Sequence, residues 1–186
     1  MTTALVLIDL QNDYFPGGTM ELVGAEAAVA QAARLLQAFR QQGQPVFHVQ
    51  HIATRPGATF FLPGTPGAEI HNAVRPNEGE PVVVKHFPNS FRETGLLEAL
   101  RAAGATKLMF AGMMTHMCVD STVRAAVDLG FQCSLAADAC ATRDLQLGAQ
   151  RIEAAAVQLA YLAGLNGLFA RVRTADELCA EACSGD

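Results

Sequence analysis

Residues 3–10 form a short run that is apolar almost throughout. Similar short runs return at residues 45–51, 81–85, 107–112, 132–138 and 170–174. Runs this brief are the length of a strand buried on both faces. Segments of helical spacing lie between them. Residues 26–42 place Ala28, Ala32, Leu35, Leu36 and Phe39 on one stripe and end at Gly43, a C-terminal glycine stop. Thr94 caps a predicted helix over 95–103, stopped by Gly104. Further helices are predicted over 117–129, over an Ala-rich stretch at 145–163 stopped by Gly164, and over 175–183. This alternation predicts an α/β fold, a parallel sheet flanked by helices on both faces. Residues 52–80 show no clear period and are expected as one long loop, a kind of segment that usually carries function.

The chain has 186 residues, is 51% apolar and carries a net charge of −5, so one folded domain over 1–186 is expected and disorder is excluded. No apolar run approaches the ~20 residues of a membrane span. The start lacks the basic region of a secretory signal, so a cytoplasmic protein is expected. The 13 basic residues are scattered, which argues against nucleic acid as a partner. Five cysteines, an odd number, do not read as a disulfide framework.

In open parallel sheets, ligands sit at the carboxyl ends of the strands. Asp9 ends the first strand, His48 and His51 the second, and Lys85 and His86 the third. After the fourth strand comes Gly112-Met113-Met114-Thr115-His116-Met117-Cys118, with Cys118 opening the next helix. Asp9, Lys85 and Cys118 thus project from one edge. A helix N-terminus and a nearby ammonium are expected to lower the thiol pKa. A carboxylate can take the thiol proton and return it to a leaving group. Backbone N–H groups in the turn can hold an oxyanion. Together these residue types suit cysteine-based acyl transfer. The turn after Asp9 has no glycine until Gly17, which argues against a nucleotide or flavin module. A peroxide-reactive thiolate at Cys118, with Cys133 or Cys140 as its resolving partner, remains a separate reading, as does an idle binding protein.

Three ordered segments carry a resemblance over nearly the whole chain. They are Leu7-Ile8-Asp9-Leu10-Gln11-Asn12-Asp13-Tyr14-Phe15, then Val83-Val84-Lys85 with Asn89-Ser90-Phe91, then Gly112 to Val119 with Thr122, Ala125, Ala126, Leu129 and Gly130. The chain resembles the isochorismatase-like cysteine hydrolases, which include nicotinamidases and N-carbamoylsarcosine amidohydrolase. The resemblance implies a three-layer, Rossmann-like fold with a six-stranded parallel sheet. It implies an Asp9–Lys85–Cys118 triad and a cis peptide between Met113 and Met114, with the N–H groups of Met114 and Cys118 as oxyanion donors. It also implies a small-molecule substrate cleaved at an amide, urea or carbamoyl C–N bond. The vinyl-ether chemistry of isochorismatases proper is the alternative.

Candidate substrate-binding residues are Gln11, Phe15, His51, Phe91, Thr115 and Met117. Met114, Phe60, Phe61, Arg55 and Arg75 are weaker candidates. Nicotinamidases hold a metal through an Asp-x-His pair, but this chain has His48-Val49-Gln50-His51 there. Residues three apart on a strand face opposite sides, so no metal and no other cofactor is expected. Cys179 and Cys183 share a helix face, more suited to an exposed thiol pair than to a metal. The 145–163 helix offers an apolar surface for a homo-oligomer, a dimer or tetramer by the resemblance.

Overall fold

The computed structural model describes residues 2–184, the side chains of 181–184 excepted. Cys183, half of the expected thiol pair, lies outside the described side chains. The strands are β1 (Thr2–Ile8), β2 (Val46–His51), β3 (Val82–Lys85), β4 (Ala105–Met113), β5 (Gln132–Ala141), the hairpin β6 (Leu145–Leu147) and β7 (Gln150–Ile152), and β8 (Arg171–Arg173). The helices are α1 (Ala25–Gln41), α2 (Leu96–Ala102), α3 (Asp120–Asp128), α4 (Ala154–Leu165) and α5 (Ala175–Ser184). Six strands form one sheet in the order β3-β2-β1-β4-β5-β8, and all five pairings within it are parallel.

Alternation along β1 builds the layers. Leu5 and Leu7 face a core shared with Ala28, Leu35 and Phe39 of α1 and Leu178 of α5. Ala4, Val6 and Ile8 face the opposite core with Leu96 and Leu100 of α2, Val123 and Ala126 of α3, and Leu165 of α4. A central strand has no solvent face, so all of Ala4–Ile8 is buried and the run reads as continuously apolar. The sheet order is Rossmann-like, and the order in which successive strands are laid down reverses between β1 and β4. The site described below lies at that point.

Gly112 is demanded by geometry. Its φ is 150°, and a Cβ there would overlap the Ile8 carbonyl oxygen. Only glycine lets β4 come this close to the end of β1.

The expected helix over 145–163 is corrected. Residues 145–152 form an antiparallel hairpin instead, with Leu145 paired to Ile152. Gly148 takes the left-handed turn with φ 60°. Asp144 then ion-pairs with Arg151 and accepts the Ala154 N–H at 2.7 Å, which starts α4 nine residues later than expected (154 against 145). The helix also passes through Gly164 to Leu165. The helix predicted from Met117 begins as a π turn over Thr115–Val119 and becomes regular at Asp120. The 52–80 loop contains short 3-10 turns at Pro66–Ala68 and Asn72–Val74.

Candidate active site

Asp9 is the residue just past β1, fully buried, with a left-handed φ of 50°. Non-glycine residues with such a φ are uncommon and cluster at functional sites. Lys85, also fully buried, ends β3 and places Nζ 2.7 Å from Asp9 Oδ2. The ammonium also donates to the Phe87 carbonyl at 3.1 Å and lies 3.1 Å from His51 Nδ1. His51 ends β2, directly paired in register with Lys85. Cys118 is buried in the π turn after β4. A carboxylate oxygen of Asp9, a ring nitrogen of His51 and Sγ of Cys118 all lie within 4.8 Å of one another. Asp9 Oδ1 has no hydrogen-bond partner among the described residues. The Met113–Met114 peptide, leading into the turn, is cis.

The electrostatics correct one expectation. Burial pushes the Cys118 thiol up, and the Asp9 carboxylate pushes it further; Lys85 opposes both without prevailing. The resting sulfur is therefore a thiol rather than the low-pKa thiolate expected from the helix terminus. A π turn with a carboxylate beside it is not the open helix N-terminus on which that expectation rests. Burial also works against the Lys85 ammonium, but the Asp9 carboxylate beside it holds its pKa above the ordinary value. His51 is lowered to about 4, first by burial and also by Lys85. The imidazole is neutral near pH 7. An ammonium can only donate, so Nδ1 accepts from Lys85 and the ring proton sits on Nε2.

A cavity of about 470 Å³ opens above Cys118. Tyr14, His51, Phe60, Met114, Met117 and Phe87 form much of its wall, and Arg55 lines it as well. His51 and Met117 thus sit where a substrate would. Four other expected contacts do not line it. Gln11 is buried and braces His51, accepting its N–H at 2.7 Å and donating to its carbonyl at 2.8 Å. Phe15 stacks on His71 at 4.1 Å. Phe91 stacks on Phe131 at 6.3 Å against the α2–α3 core. The single Thr115 hydroxyl proton is shared between Gln158 Oε1 at 2.7 Å and Ala141 O at 3.1 Å, fixing the π turn to α4 and β5. Sequence reasoning did not assign Tyr14 to the cavity, although it stands beside Phe15 in a quoted motif. The alternating pattern that singles out a strand face has no counterpart in the 3-10 turn Asn12–Tyr14.

Residues 11–13 also hold the long loop. Asn12 donates to Pro66 O at 2.9 Å and Gln11 to Ala68 O at 2.7 Å. The buried Asp13 carboxylate accepts the Phe61 N–H at 2.6 Å and the Thr19 hydroxyl at 2.9 Å. Gly67 packs so closely on it that a Cβ would overlap the carboxylate. Phe60 is thereby set in the cavity wall.

Among the described residues, Asp9, His51 and Cys118 are the one group of three able to share a metal ion. They do not fit one well. Lys85 already places a positive charge at 2.7 Å from Asp9 and 3.1 Å from His51. His48 faces the other way, bonded at 2.9 Å to Glu80, which Arg40 also grips. His71 caps its own turn at Ala73 N.

The family model for the isochorismatase domain matches residues 3–176. The isochorismatase family protein YddQ of Bacillus subtilis is 52% identical over 95% of this chain and 98% of its own. A maleamate amidohydrolase of Pseudomonas putida is 32% identical over 69% of this chain and 67% of its own. An isochorismatase-family structure from Oleispira antarctica superposes with a TM-score of 0.93 at 53% identity, covering 96% of each chain.

Proposed function

The chain belongs to the isochorismatase family of hydrolases, and from that premise we propose that it hydrolyses a C–N bond of a small amide, urea or carbamoyl compound through a thioester on Cys118. The observation that carries this reading is the buried Asp9–Lys85–Cys118 cluster, of which Cys118 lines the cavity. A relative named for an amidohydrolase activity supports C–N rather than vinyl-ether cleavage.

In the proposed cycle the Cys118 thiol gives its proton to Asp9 as sulfur attacks the carbonyl carbon. Asp9 is suited to this: the Lys85 ammonium stands 2.7 Å from one of its oxygens, and the other has no partner among the described residues. The oxyanion is held by the N–H groups of Met114 and Cys118. Asp9 then protonates the nitrogen as the C–N bond breaks, and the amine leaves. Water attacks the thioester as Asp9 takes its proton, the acid is released, and the proton returns to sulfur. Lys85 offsets the negative charge that passes between Asp9 and Cys118. Because the resting thiol is protonated, the base works during attack rather than before it.

The test is ammonia release from a panel of amides, ureas and carbamates. Cys118→Ala should abolish turnover, with a loss of ~10³ or more. An active Cys118→Ala protein overturns the thioester reading.

We also propose a homo-oligomer acting in the cytoplasm. Leu159 of α4 and Leu147 and Ile152 of the hairpin are exposed apolar side chains of the kind a second copy would cover. Among the described residues, no helix is long and apolar enough to cross a membrane.

A further inference from the structure

Tyr14 carries a donor that the protein leaves unused. The residue is 1% exposed, and its ring is fixed against Phe61 at 4.6 Å and Phe60 at 6.0 Å. Buried phenols ordinarily find a hydrogen-bond partner. The Tyr14 hydroxyl has none among the described residues, yet Tyr14 lines the cavity that holds Cys118. Burial, and with it the Asp9 carboxylate, push its pKa well above the ordinary value, so the group stays an O–H. The neutral His51 ring adds a second donor at Nε2. Among the lining residues there is no Asp or Glu, and Arg55 is the one residue of fixed charge. A cavity furnished this way beside apolar Phe60, Met114 and Met117 has donors to fill and little to offer an ammonium group.

We propose that Tyr14 is a specificity-determining residue whose hydroxyl donates to a second oxygen acceptor, a carbonyl or a carboxylate, carried by the substrate beside the scissile amide. The assignment rests on the C–N reading above and narrows its substrate class. A site built to hydrogen-bond a substrate group rejects the analogue that lacks it, because its own buried polar group is then left unpaired.

Tyr14→Phe removes one oxygen and keeps the ring between its neighbours. Ammonia release is measured for four primary amides of equal length. One bears a second carbonyl, one a carboxylate, one a hydrocarbon group and one an ammonium. The native protein should favour the oxygen-bearing pair. Tyr14→Phe should lower the ratio of kcat/KM between acceptor and hydrocarbon amides by about tenfold to a hundredfold, mostly through KM. The larger loss identifies whether carbonyl or carboxylate is read. A ratio that does not change overturns the proposal, and a lowered melting temperature with that same ratio shows a purely structural Tyr14. Calorimetry on Cys118→Ala separates the two readings. If no amide is turned over but that variant binds oxygen-bearing amides more tightly, and loses the preference with Tyr14→Phe, the C–N chemistry fails and this assignment stands. Equal binding of all four overturns it.

Discussion

Replacing Asp9 with asparagine should separate the reactivity of the thiol from turnover. The Asp9 carboxylate and Cys118 sulfur lie within 4.8 Å. At an effective dielectric of about 20, two like charges at that distance repel by about 3.5 kcal/mol, a few hundredfold in thiolate population. Asparagine removes this repulsion and leaves the Lys85 ammonium facing the sulfur. Iodoacetamide labelling, read by peptide mass between about pH 6 and 9, reports the thiolate. In the native protein Cys118 should label slowly, like Cys133 and Cys140, whose thiols burial pushes up to about 12. In Asp9→Asn, labelling of Cys118 should accelerate about a hundredfold while hydrolysis falls by ~10³ or more. The variant would be more nucleophilic and less active, because it lacks the group that delivers the proton to the leaving nitrogen. Labelling no faster than native at every pH refutes the electrostatic reasoning. Faster labelling with hydrolysis retained removes Asp9 from proton transfer.

Other consequences are simpler to state. Lys85→Met leaves a fully buried carboxylate without its cation and should cost about 3–5 kcal/mol in urea unfolding. Because the Lys85 pKa is raised on folding, its contribution is fully present below the unfolded value near 10.5 and is lost only as pH climbs through the folded one, so the cost should be flat across neutral pH. His51, lowered to about 4, and His48, His71 and His116, also lowered by burial, bind fewer protons folded than unfolded. Stability should therefore fall as pH drops from about 6.5 toward 4, and His51→Gln should flatten part of that slope. Light scattering should give a multiple of 19.7 kDa; a 19.7 kDa species refutes the oligomer.

The sheet and the meeting of Asp9, Lys85 and Cys118 were legible because each residue stands at or just past a strand end. Strand ends in a parallel sheet share one edge, so chain position alone places them together. The thiol's charge state was not legible. It depends on the distance between two residues 109 positions apart (118 − 9) and on burial, neither of which the sequence expresses. The 145–152 hairpin is not legible because Leu145 and Ile152, seven apart, satisfy helical spacing while Leu145 and Leu147, two apart, satisfy strand spacing, and Gly148 decides between them only once Asp144 has Arg151 and Ala154 to hold. Nearly half of the residues lining the cavity come from the 52–80 loop, whose path is set by residues in a different segment. Phe15 and Phe91 stand in the motifs that carry the resemblance but pack on His71 and Phe131 rather than facing the cavity.

The grip on that loop has a particular form. Asn12 and Gln11 take the carbonyls of Pro66 and Ala68, and Asp13 takes the N–H of Phe61. These are main-chain groups, and every residue except proline presents the same N–H. The turn after β1 therefore holds the loop without reading its side chains, Gly67 apart. Side chains in the loop can be rewritten to suit a different ligand while the anchors stay in place. The loop's share of the cavity wall can thus change while the anchors hold, and a library confined to residues 53–60 alters that wall without disturbing Asp9, Lys85 or Cys118.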